Sequence, residues 1–250
     1  MLNLIGIGLG DINDLTLKAL DALKNSDKIY FENYTSFYAS TKEEIEEFIG
    51  KEIIISNREV IEDNQTIFDE AKEKKVSIMI IGDIFAATTH VELYQNALKQ
   101  KIKVNLMFNT SILTAIGLVG LELYKFGKIT SIPFVSKGFF PITPYSVYEN
   151  NKKMGLHTLM LLDLRPNENK FMSVNEALEQ LLEIEKKENK NIISKESKLI
   201  GCARLGRDDF KIKFGSVKEL LEEDFGKPPH CIIFPGKLHF LEEEMLENWK

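Results

Sequence analysis

The sequence predicts an α/β protein made of two α/β domains. Short runs rich in β-branched residues alternate with amphipathic helical runs, which is typical of parallel strands joined by crossover helices. The chain has 250 residues, a length that suits one large or two modest domains. Its composition, 44% hydrophobic and 28% charged, is that of a globular protein, so it needs neither disulfides nor a metal to hold its core.

The first half alternates strands and helices in order. The predicted strands are Met1–Ile7, Lys28–Phe31, Glu52–Ile55, Val76–Ile81 and Lys103–Phe108, and the predicted helices are Leu15–Lys24, 42–48, Gln65–Lys74 and Thr89–Lys99. We expect Asp14 to cap the first helix, because its carboxylate can accept a hydrogen bond from a free helical amide. Thr41 followed by Glu44 predicts a capping box at the second helix.

The second half continues the alternation with a less regular order. The predicted strands are Thr130–Phe134, Thr158–Leu162, Lys198–Ala203, Phe210–Phe214 and Cys231–Phe234, and the predicted helices are Pro144–Lys153, Val174–Lys187 and Val217–Glu222. Ser173 followed by Glu176 predicts another capping box. The charged, glycine-containing segment Glu122–Lys128 separates the two patterned regions. We therefore predict an N-terminal domain over 1–124, which holds the glycine-rich loop, and a C-terminal domain over 125–250.

Charge and composition restrict the function classes. The formal net charge is −6, from 32 basic and 38 acidic residues, and this acidic balance argues against broad nucleic-acid binding. No apolar run reaches the length of a membrane span, and the start of the chain lacks a basic region typical of a secretion signal. The two cysteines and four histidines show no metal-ligand spacing, so we predict no metal site. We expect a reducing, cytoplasmic location without membrane attachment.

Glycines at the end of the first strand form the first candidate site. Gly6, Gly8 and Gly10 let the backbone approach a ligand closely, and Glu32 ends the second strand, where a ribose-binding carboxylate would lie. This pattern favours a nicotinamide dehydrogenase. However, Asp11 stands where the dinucleotide pattern needs its third glycine, and a carboxylate would repel a pyrophosphate. A glycine turn without a ligand is the other alternative.

Three further segments carry polar residues at strand ends, where open α/β sheets bind ligands. Gly82-Asp83 follows the most apolar strand, and Asp83 either accepts from a ligand or caps the next helix. Ser111, after the following strand, has the same two alternatives. His230 precedes the last strand, where a structural hydrogen bond is the commoner role. Cys202 and Cys231 fall in predicted buried strands and are expected to be inert.

Ten segments in order along nearly the whole chain resemble the diphthine synthases, within the tetrapyrrole methylase-like (class III methyltransferase) superfamily. They are LIGIGLGD at the start, ENYTS at 32–36, GDIFAATTH at 82–90, NTSI at 109–112, GLELYKFGK at 120–128, GLHTLMLLDLR at 155–165, FMSVNEALEQLL at 171–182, ARLG at 203–206, EDFGKPPH at 223–230 and PGKLH at 235–239. One departure is Ile84, which stands where the superfamily usually has a proline after Gly-Asp.

The resemblance implies two α/β domains, a homodimer, and S-adenosylmethionine (SAM) bound in the cleft between the domains. The C-terminal domain would complete the SAM site, and S-adenosylhomocysteine would be the product. The cofactor contacts that the resemblance implies fall on Leu9, Asp83, Ala86, Ser111, Ile112, Leu162, Leu205 and His230. It implies as substrate the 3-amino-3-carboxypropyl histidine of translation elongation factor 2, whose amine the enzyme methylates repeatedly.

The substrate amine is itself the nucleophile, so the sequence identifies no catalytic residue. Tyr34, Phe37 and Glu32 are candidates for accommodating the fixed positive charge of a trimethylated product. Five lysines near the predicted domain junction either steer an acidic partner or form a solvated face; they are Lys125, Lys128, Lys137, Lys152 and Lys153. The alternative functions are methylation of a tetrapyrrole or another small molecule, and a SAM-binding interaction module without activity.

Overall fold

The computed structural model describes residues 1–32, 37–56, 65–86 and 90–250. The chain forms two compact units. Unit 1 contains Met1–Ala115 and Gly206–Asp208, and unit 2 contains Ile116–Leu205 and Asp209–Lys250. Each unit has its own sheet with helices packed on it, so the predicted α/β class is confirmed. The domain limits 1–124 and 125–250 remain a prediction.

Unit 1 is built on a five-stranded parallel sheet. Its strands are β1 (Leu2–Gly6), β2 (Lys28–Glu32), β3 (Ile54–Ser56), β4 (Val76–Ile80) and β5 (Val104–Met107), and its helices are α1 (Leu17–Lys24), α2 (Lys42–Ile49), α3 (Gln65–Glu73), α4 (His90–Lys99) and α5 (Ile112–Ala115). The strand order is β3-β2-β4-β1-β5, with every neighbouring pair parallel. β1 and β4 are buried along their whole length, as expected of strands covered on both faces.

The predicted cap of the first helix is wrong. Thr16 caps α1, because its side chain accepts from the Ala19 amide at 3.1 Å. Asp14 ends a short 3₁₀ turn and accepts instead from the Gly10 amide at 2.7 Å. The extended residue Leu15 separates this turn from the helix. The capping boxes at Thr41 and Ser173 are confirmed, and Thr89, predicted to start α4, lies outside the described residues.

Unit 2 is built on a mixed five-stranded sheet and a small hairpin. Its strands are β6 (Thr130–Ile132), β7 (Thr158–Leu162), β8 (Leu164–Arg165), β9 (Lys170–Phe171), β10 (Lys198–Ala203), β11 (Lys211–Ser216) and β12 (His230–Phe234), and its helices are α6 (Thr143–Lys153), α7 (Val174–Glu188), α8 (Val217–Leu221) and α9 (Phe240–Glu247). The order is β11-β10-β12-β7-β6, and β8 pairs with β9. Only β6 and β7 run parallel; the other neighbours are antiparallel.

The core of unit 2 packs α6 and α7 against the sheet. Tyr145, Leu178 and Phe234 are fully buried there. Cys202 and Cys231 are buried in strands, as the sequence predicts, and they face each other across β10 and β12. Burial raises the pKa of the Cys202 thiol. In the described part of the chain, no helix combines the length and the apolar character needed to cross a membrane.

The helix α9, which the sequence does not predict, is fixed by a buried carboxylate. Glu242 is 1% exposed and accepts from the amides of Glu122 at 2.9 Å and His239 at 2.7 Å. Its carboxylate also pairs with Lys125 and lies 2.9 Å from Nε2 of His157. Burial alone would raise the pKa of Glu242, but these hydrogen bonds lower it to about 2. Lys125 therefore has a structural partner within unit 2.

We expect Glu242→Gln to destabilise the protein at neutral pH, by about 3 kcal/mol, because it removes one charge from a buried network. The larger free energy of unfolding of the wild type is fully present above pH 4.5, which is the ordinary pKa of a Glu side chain. It shrinks as the pH falls towards about 2, because the unfolded chain takes up the proton first. Urea unfolding at pH 7 and pH 3.5 measures this difference.

The matched control is Glu149→Gln. Two lysines likewise lower the pKa of Glu149 to about 2, but these ion pairs are at the surface, where solvent weakens them. Its loss of stability should be much smaller. Equal losses in the two variants would show that burial does not give the Glu242 network its strength.

Candidate active site

The segments that follow three adjacent strands of unit 1 lie at one edge of the sheet. β4, β1 and β5 are neighbours and parallel, so their carboxyl ends lie side by side. Gly8 and Gly82 extend the contact beyond the strands, through amide-to-carbonyl bonds of 3.1 and 2.8 Å. The structure thus brings five predicted site residues to this edge: Leu9, Asp83, Ala86, Ser111 and Ile112.

Asp83 connects the segments that follow β4 and β5. Its Oδ1 accepts from the Phe85 amide at 3.1 Å, and its Oδ2 accepts from the Asn109 amide at 3.1 Å. Among the described residues, the Asp83 carboxylate accepts these two hydrogen bonds, and neither of them caps α4. Asp83 therefore fixes the relative position of two strand-end segments, and it remains half-buried at the edge.

Asn109 performs the same task for β1, and the sequence analysis missed it. Its Nδ2 donates to the Gly6 carbonyl at 3.1 Å and to the Asp14 carbonyl at 3.0 Å. The available signal was its position, since a side-chain amide directly after a parallel strand can satisfy backbone groups that the sheet leaves open. Together with Asp83, Asn109 joins all three strand-end segments.

The glycine loop after β1 is held from two sides. The Asp14 carboxylate accepts from Gly10, and a Cβ on Gly8, where φ is +79°, would lie 2.7 Å from the Cβ of Asp14. On the other side, Nε of Arg207 donates to the Leu9 carbonyl at 3.3 Å. No sequence signal indicates Arg207, because its partner lies almost the whole chain away.

Ser111 directly precedes α5, and Ile112 is the first residue of this helix. The Ser111 hydroxyl accepts from the Leu113 amide at 3.2 Å, so its side chain has the capping role that was one of its two alternatives. The Ser111 side chain is thus fixed by the protein itself. Any contact of Ser111 or Ile112 with a ligand remains a prediction, as does that of Ala86.

Glu32 and His90 form a buried pair at the same sheet. Glu32 ends β2 and is fully buried, and its Oε2 lies 3.8 Å from Nε2 of His90. Burial lowers the pKa of His90 to about 4, which keeps the ring neutral at pH 7. Phe37 is 44% exposed, and its ring lies 5.3 Å from the Arg207 guanidinium. Tyr34 lies outside the described residues.

Unit 2 places its three predicted site residues at one edge of its own sheet. Leu162 ends β7, Leu205 follows β10, and His230 starts β12, which runs antiparallel to both. The register pairs Ala203 with His230 and Leu161 with Cys231. The start of β12 therefore lies between the ends of its two neighbours. All three residues are less than a tenth exposed.

His230 offers a buried acceptor at this edge. Its Nε2 lies 3.0 Å from the Lys227 carbonyl, so this nitrogen carries the proton and Nδ1 has the free lone pair. Nδ1 is buried and has no hydrogen-bond partner among the described residues. Burial lowers the pKa of His230, which favours the neutral ring. Arg204 holds the preceding turn by donating to the carbonyls of Lys227 and Phe225.

Comparison with known proteins identifies the family. The family model described as Tetrapyrrole (Corrin/Porphyrin) Methylases matches residues 1–221. A diphthine synthase of Methanococcus aeolicus is 47% identical over 249 residues, which cover 99% of this chain and 97% of that protein. The diphthine synthase of Methanocaldococcus jannaschii is 47% identical, with 99% and 98% covered.

The chain belongs to the diphthine synthases, within the tetrapyrrole methylases. A crystal structure of diphthine synthase superimposes with a TM-score of 0.90 at 33% identity, covering 99% of this chain and 95% of that one. A crystal structure from Entamoeba histolytica gives a TM-score of 0.94 at 36% identity, covering 100% and 98%. The predicted family and fold are confirmed.

As a diphthine synthase family member, the chain is a SAM-dependent methyltransferase, and the nicotinamide alternative is wrong. The residues present suit such a cofactor. Nδ1 of His230 can accept a hydrogen bond from a hydroxyl or amino group. At Gly82, φ is +80°, a backbone conformation that favours glycine at the end of β4, and an added Cβ would be in van der Waals contact with Leu9 at 3.5 Å. Among the described residues, no group of three His, Cys, Asp or Glu side chains could hold a metal ion.

We expect Asp83→Ala to weaken SAM binding by tenfold or more in calorimetry. The change removes two hydrogen bonds to a carboxylate, each worth roughly 1.5–3 kcal/mol, and loosens the strand-end segments. Asp11→Ala is the matched control, because Asp11 accepts from the Asn13 amide within its own turn. Equal or reversed losses of affinity would place the cofactor away from the β4 end.

Proposed function

We propose that this methyltransferase acts on translation elongation factor 2. The reaction is repeated methylation of the amine on the 3-amino-3-carboxypropyl histidine of that factor, which gives diphthine. The observation that carries the proposal is the similarity to named diphthine synthases over 99% of the chain at 47% identity. The strand-end segments of unit 1 and the buried acceptor of unit 2 add the chemical groups that a methyl donor needs.

We propose that the strand ends of both sheets contact SAM. In unit 1, Leu9, Asp83, Ala86, Ser111 and Ile112 would contribute, chiefly through backbone groups, because the Ser111 hydroxyl and both Asp83 oxygens already bond to amides. In unit 2, the contacts would come from three residues, Leu162, Leu205 and His230. The cleft between the domains as the binding site remains a prediction.

The chain's own contribution to the chemistry is positioning. Bound SAM supplies an electrophilic methyl carbon on a sulfonium sulfur. The amine of the substrate is the nucleophile and must be neutral, since an ammonium ion has no lone pair. A binding site that aligns amine, methyl carbon and sulfur can lower the barrier by roughly 7–11 kcal/mol. Asp83 and Asn109 serve this purpose, because they hold three backbone segments in fixed relation.

The substrate class has two consequences. A protein substrate needs an accessible site, and repeated methylation needs S-adenosylhomocysteine to leave and a new SAM to bind before each further transfer. We also propose a cytoplasmic location, where the elongation factor acts, and a homodimer as in the family resemblance. A plant relative from Arabidopsis thaliana, 40% identical over 272 residues, has the name "Probable diphthine methyl ester synthase", so the number of methyl groups transferred is an essential measurement.

The decisive experiment supplies labelled SAM and elongation factor 2 that carries the 3-amino-3-carboxypropyl histidine. We expect label on the factor, and mass spectrometry of the modified peptide should show a trimethylated amine. Unmodified factor is the control and should remain unlabelled. A folded enzyme that binds SAM but leaves the modified factor unlabelled would overturn the proposal. Methylation of a porphyrin precursor in a parallel reaction would favour the tetrapyrrole alternative.

His230→Ala should weaken SAM binding by roughly 5- to 150-fold, corresponding to about 1–3 kcal/mol for a lost buried hydrogen bond. His239→Ala is the control, since His239 is an exposed capping residue of α9. Calorimetry at pH 7 measures both affinities. An unchanged affinity of the His230 variant would remove His230 from the proposed cofactor contacts.

A further inference from the structure

Arg204 is a buried cation beside the predicted cofactor contacts of unit 2. It stands between Ala203, the last residue of β10, and Leu205, and it is 9% exposed. Its φ is +53°, in the left-handed region that residues other than glycine rarely adopt. Such a conformation persists only where the surrounding contacts hold it. The hydrogen bonds of Arg204 therefore show which parts of the chain it is fixed to.

The Arg204 side chain bonds to two separate segments of unit 2. On one side, Nε and Nη2 donate to the Asp209 carbonyl at 3.1 and 2.9 Å, and Nε lies 2.8 Å from Oδ2 of the same residue. On the other side, Nη1 donates to the Phe225 carbonyl at 2.9 Å and to the Lys227 carbonyl. A planar guanidinium can hold both segments at once, because its donors form a rigid fork that a lysine ammonium lacks.

The Lys227 carbonyl links Arg204 to His230. It accepts from Nη1 of Arg204 and, at 3.0 Å, from Nε2 of His230, so the two side chains share one acceptor. The Arg204 amide also donates to the Pro229 carbonyl at 2.8 Å, one residue before His230. A carbonyl held in this place keeps the imidazole proton on Nε2. Nδ1, which has no hydrogen-bond partner among the described residues, is then the acceptor.

The guanidinium also acts on His230 through its charge. Burial is the largest influence on the ring and lowers its pKa. Four neighbouring groups shift the pKa further: the Lys227 carbonyl raises it, the Arg204 guanidinium lowers it, and the Gly226 carbonyl and the Asp224 carboxylate raise it. The adjoining strands place the apolar residues Ala203 and Leu162 beside the ring, and the Lys227 side chain is exposed. Arg204 is thus the cation that favours the neutral ring, in which Nδ1 keeps its lone pair.

We propose that Arg204 is a positioning residue for methyl transfer, which presents Nδ1 of His230 to a hydroxyl or amino group of SAM. Its fork fixes the Lys227 carbonyl, and its charge keeps the imidazole neutral. This inference rests on the proposed function, in which His230 contacts SAM. Arg204 itself needs no contact with the cofactor, since its donors are directed at groups of the protein. Its removal should therefore weaken SAM binding only as far as His230 contributes to it.

The first test is a double-mutant cycle on SAM affinity, measured by calorimetry on the full-length enzyme at pH 7. The variants are Arg204→Met, His230→Ala and the two changes together. We expect Arg204→Met to weaken binding by roughly fivefold or more, as for one lost hydrogen bond. The double variant should bind no more weakly than His230→Ala alone, because both changes remove the same contact. Additive losses would overturn the proposal.

The second test is the pH dependence of SAM affinity, which a merely structural change would not move. In the wild type, the pKa of His230 lies below 6.5, its ordinary value, so the ring stays neutral at pH 6.5. Without the guanidinium this pKa rises, and the imidazolium that forms cannot accept at Nδ1. Between pH 7.5 and pH 5.5, Arg204→Met should lose several-fold more affinity than the wild type. Equal pH dependence in the two proteins would contradict the proposal.

Nuclear magnetic resonance of protein with nitrogen-15-labelled histidine reads the tautomer without SAM. The chain has four histidines, and the signals that disappear in His230→Ala identify His230. We expect the proton on Nε2 in the wild type and a mixture of tautomers in Arg204→Met. A ring that keeps the wild-type tautomer in this variant would show that Arg204 does not position it.

The matched control is Lys211→Met. Lys211 also binds the segment before β12, by pairing with Glu223 and donating to the Asp224 carbonyl, but its bonds lie at the start of that segment. Its SAM affinity and pH dependence should resemble those of the wild type. Arg204→Lys retains the charge without the fork, so we expect weaker SAM binding with the pH dependence of the wild type.

The outcomes separate the two proposals. If His230→Ala binds SAM as the wild type does, the proposed cofactor contact fails, and the role of Arg204 fails with it. If His230→Ala weakens binding but Arg204→Met matches Lys211→Met, the contact stands and the positioning role is overturned. Circular dichroism checks folding; if Arg204→Met does not fold, Arg204→Lys takes its place in the cycle with His230→Ala. Loss of folding in both Arg204 variants would assign Arg204 to the fold and overturn the proposal.

Discussion

The site in unit 1 depends on one constraint, the parallel register of β4, β1 and β5. Parallel neighbours end at a common edge, where backbone amides and carbonyls lose their ladder partners. Asp83 and Asn109 satisfy those groups across three segments that are distant in sequence. The polar residues that predict a binding site are therefore also the residues that hold the backbone in place, and the two roles cannot be separated by residue type.

Unit 2 reaches a comparable edge by a different route. Its strands β7, β12 and β10 alternate in direction, so the first residue of β12 lies between the last residues of its neighbours. His230 thereby joins Leu162 and Leu205 although it starts a strand and they follow strands. The sequence favours a structural hydrogen bond for His230. In the structure its ring is buried among strand ends, and Nδ1 has no hydrogen-bond partner among the described residues.

Local features of the fold could be predicted from the sequence, and long-range ones could not. The bounds of β7 and β10 and the capping boxes at Thr41 and Ser173 depend on neighbouring residues and are confirmed. The cap of α1 was wrong, because Asp14 bonds to the glycine loop rather than to its own helix. Arg207 could not be predicted, since its contact with Leu9 arises only in the folded chain.

Two buried polar groups of unit 2 differ in how many of their hydrogen bonds are made within the protein. A group whose hydrogen bonds are all made stabilises the fold, whereas a group with an unused acceptor can bind a ligand. Glu242 is almost fully buried, but both oxygens accept from amides and from cationic or ring nitrogens, so nothing in its bonding requires a further partner. His230 is buried to a similar degree, yet only one nitrogen is bonded within the described chain. Leaving a buried acceptor unsatisfied costs roughly 1–3 kcal/mol. A ligand that donates to Nδ1 removes that cost, so the destabilised acceptor itself contributes to affinity.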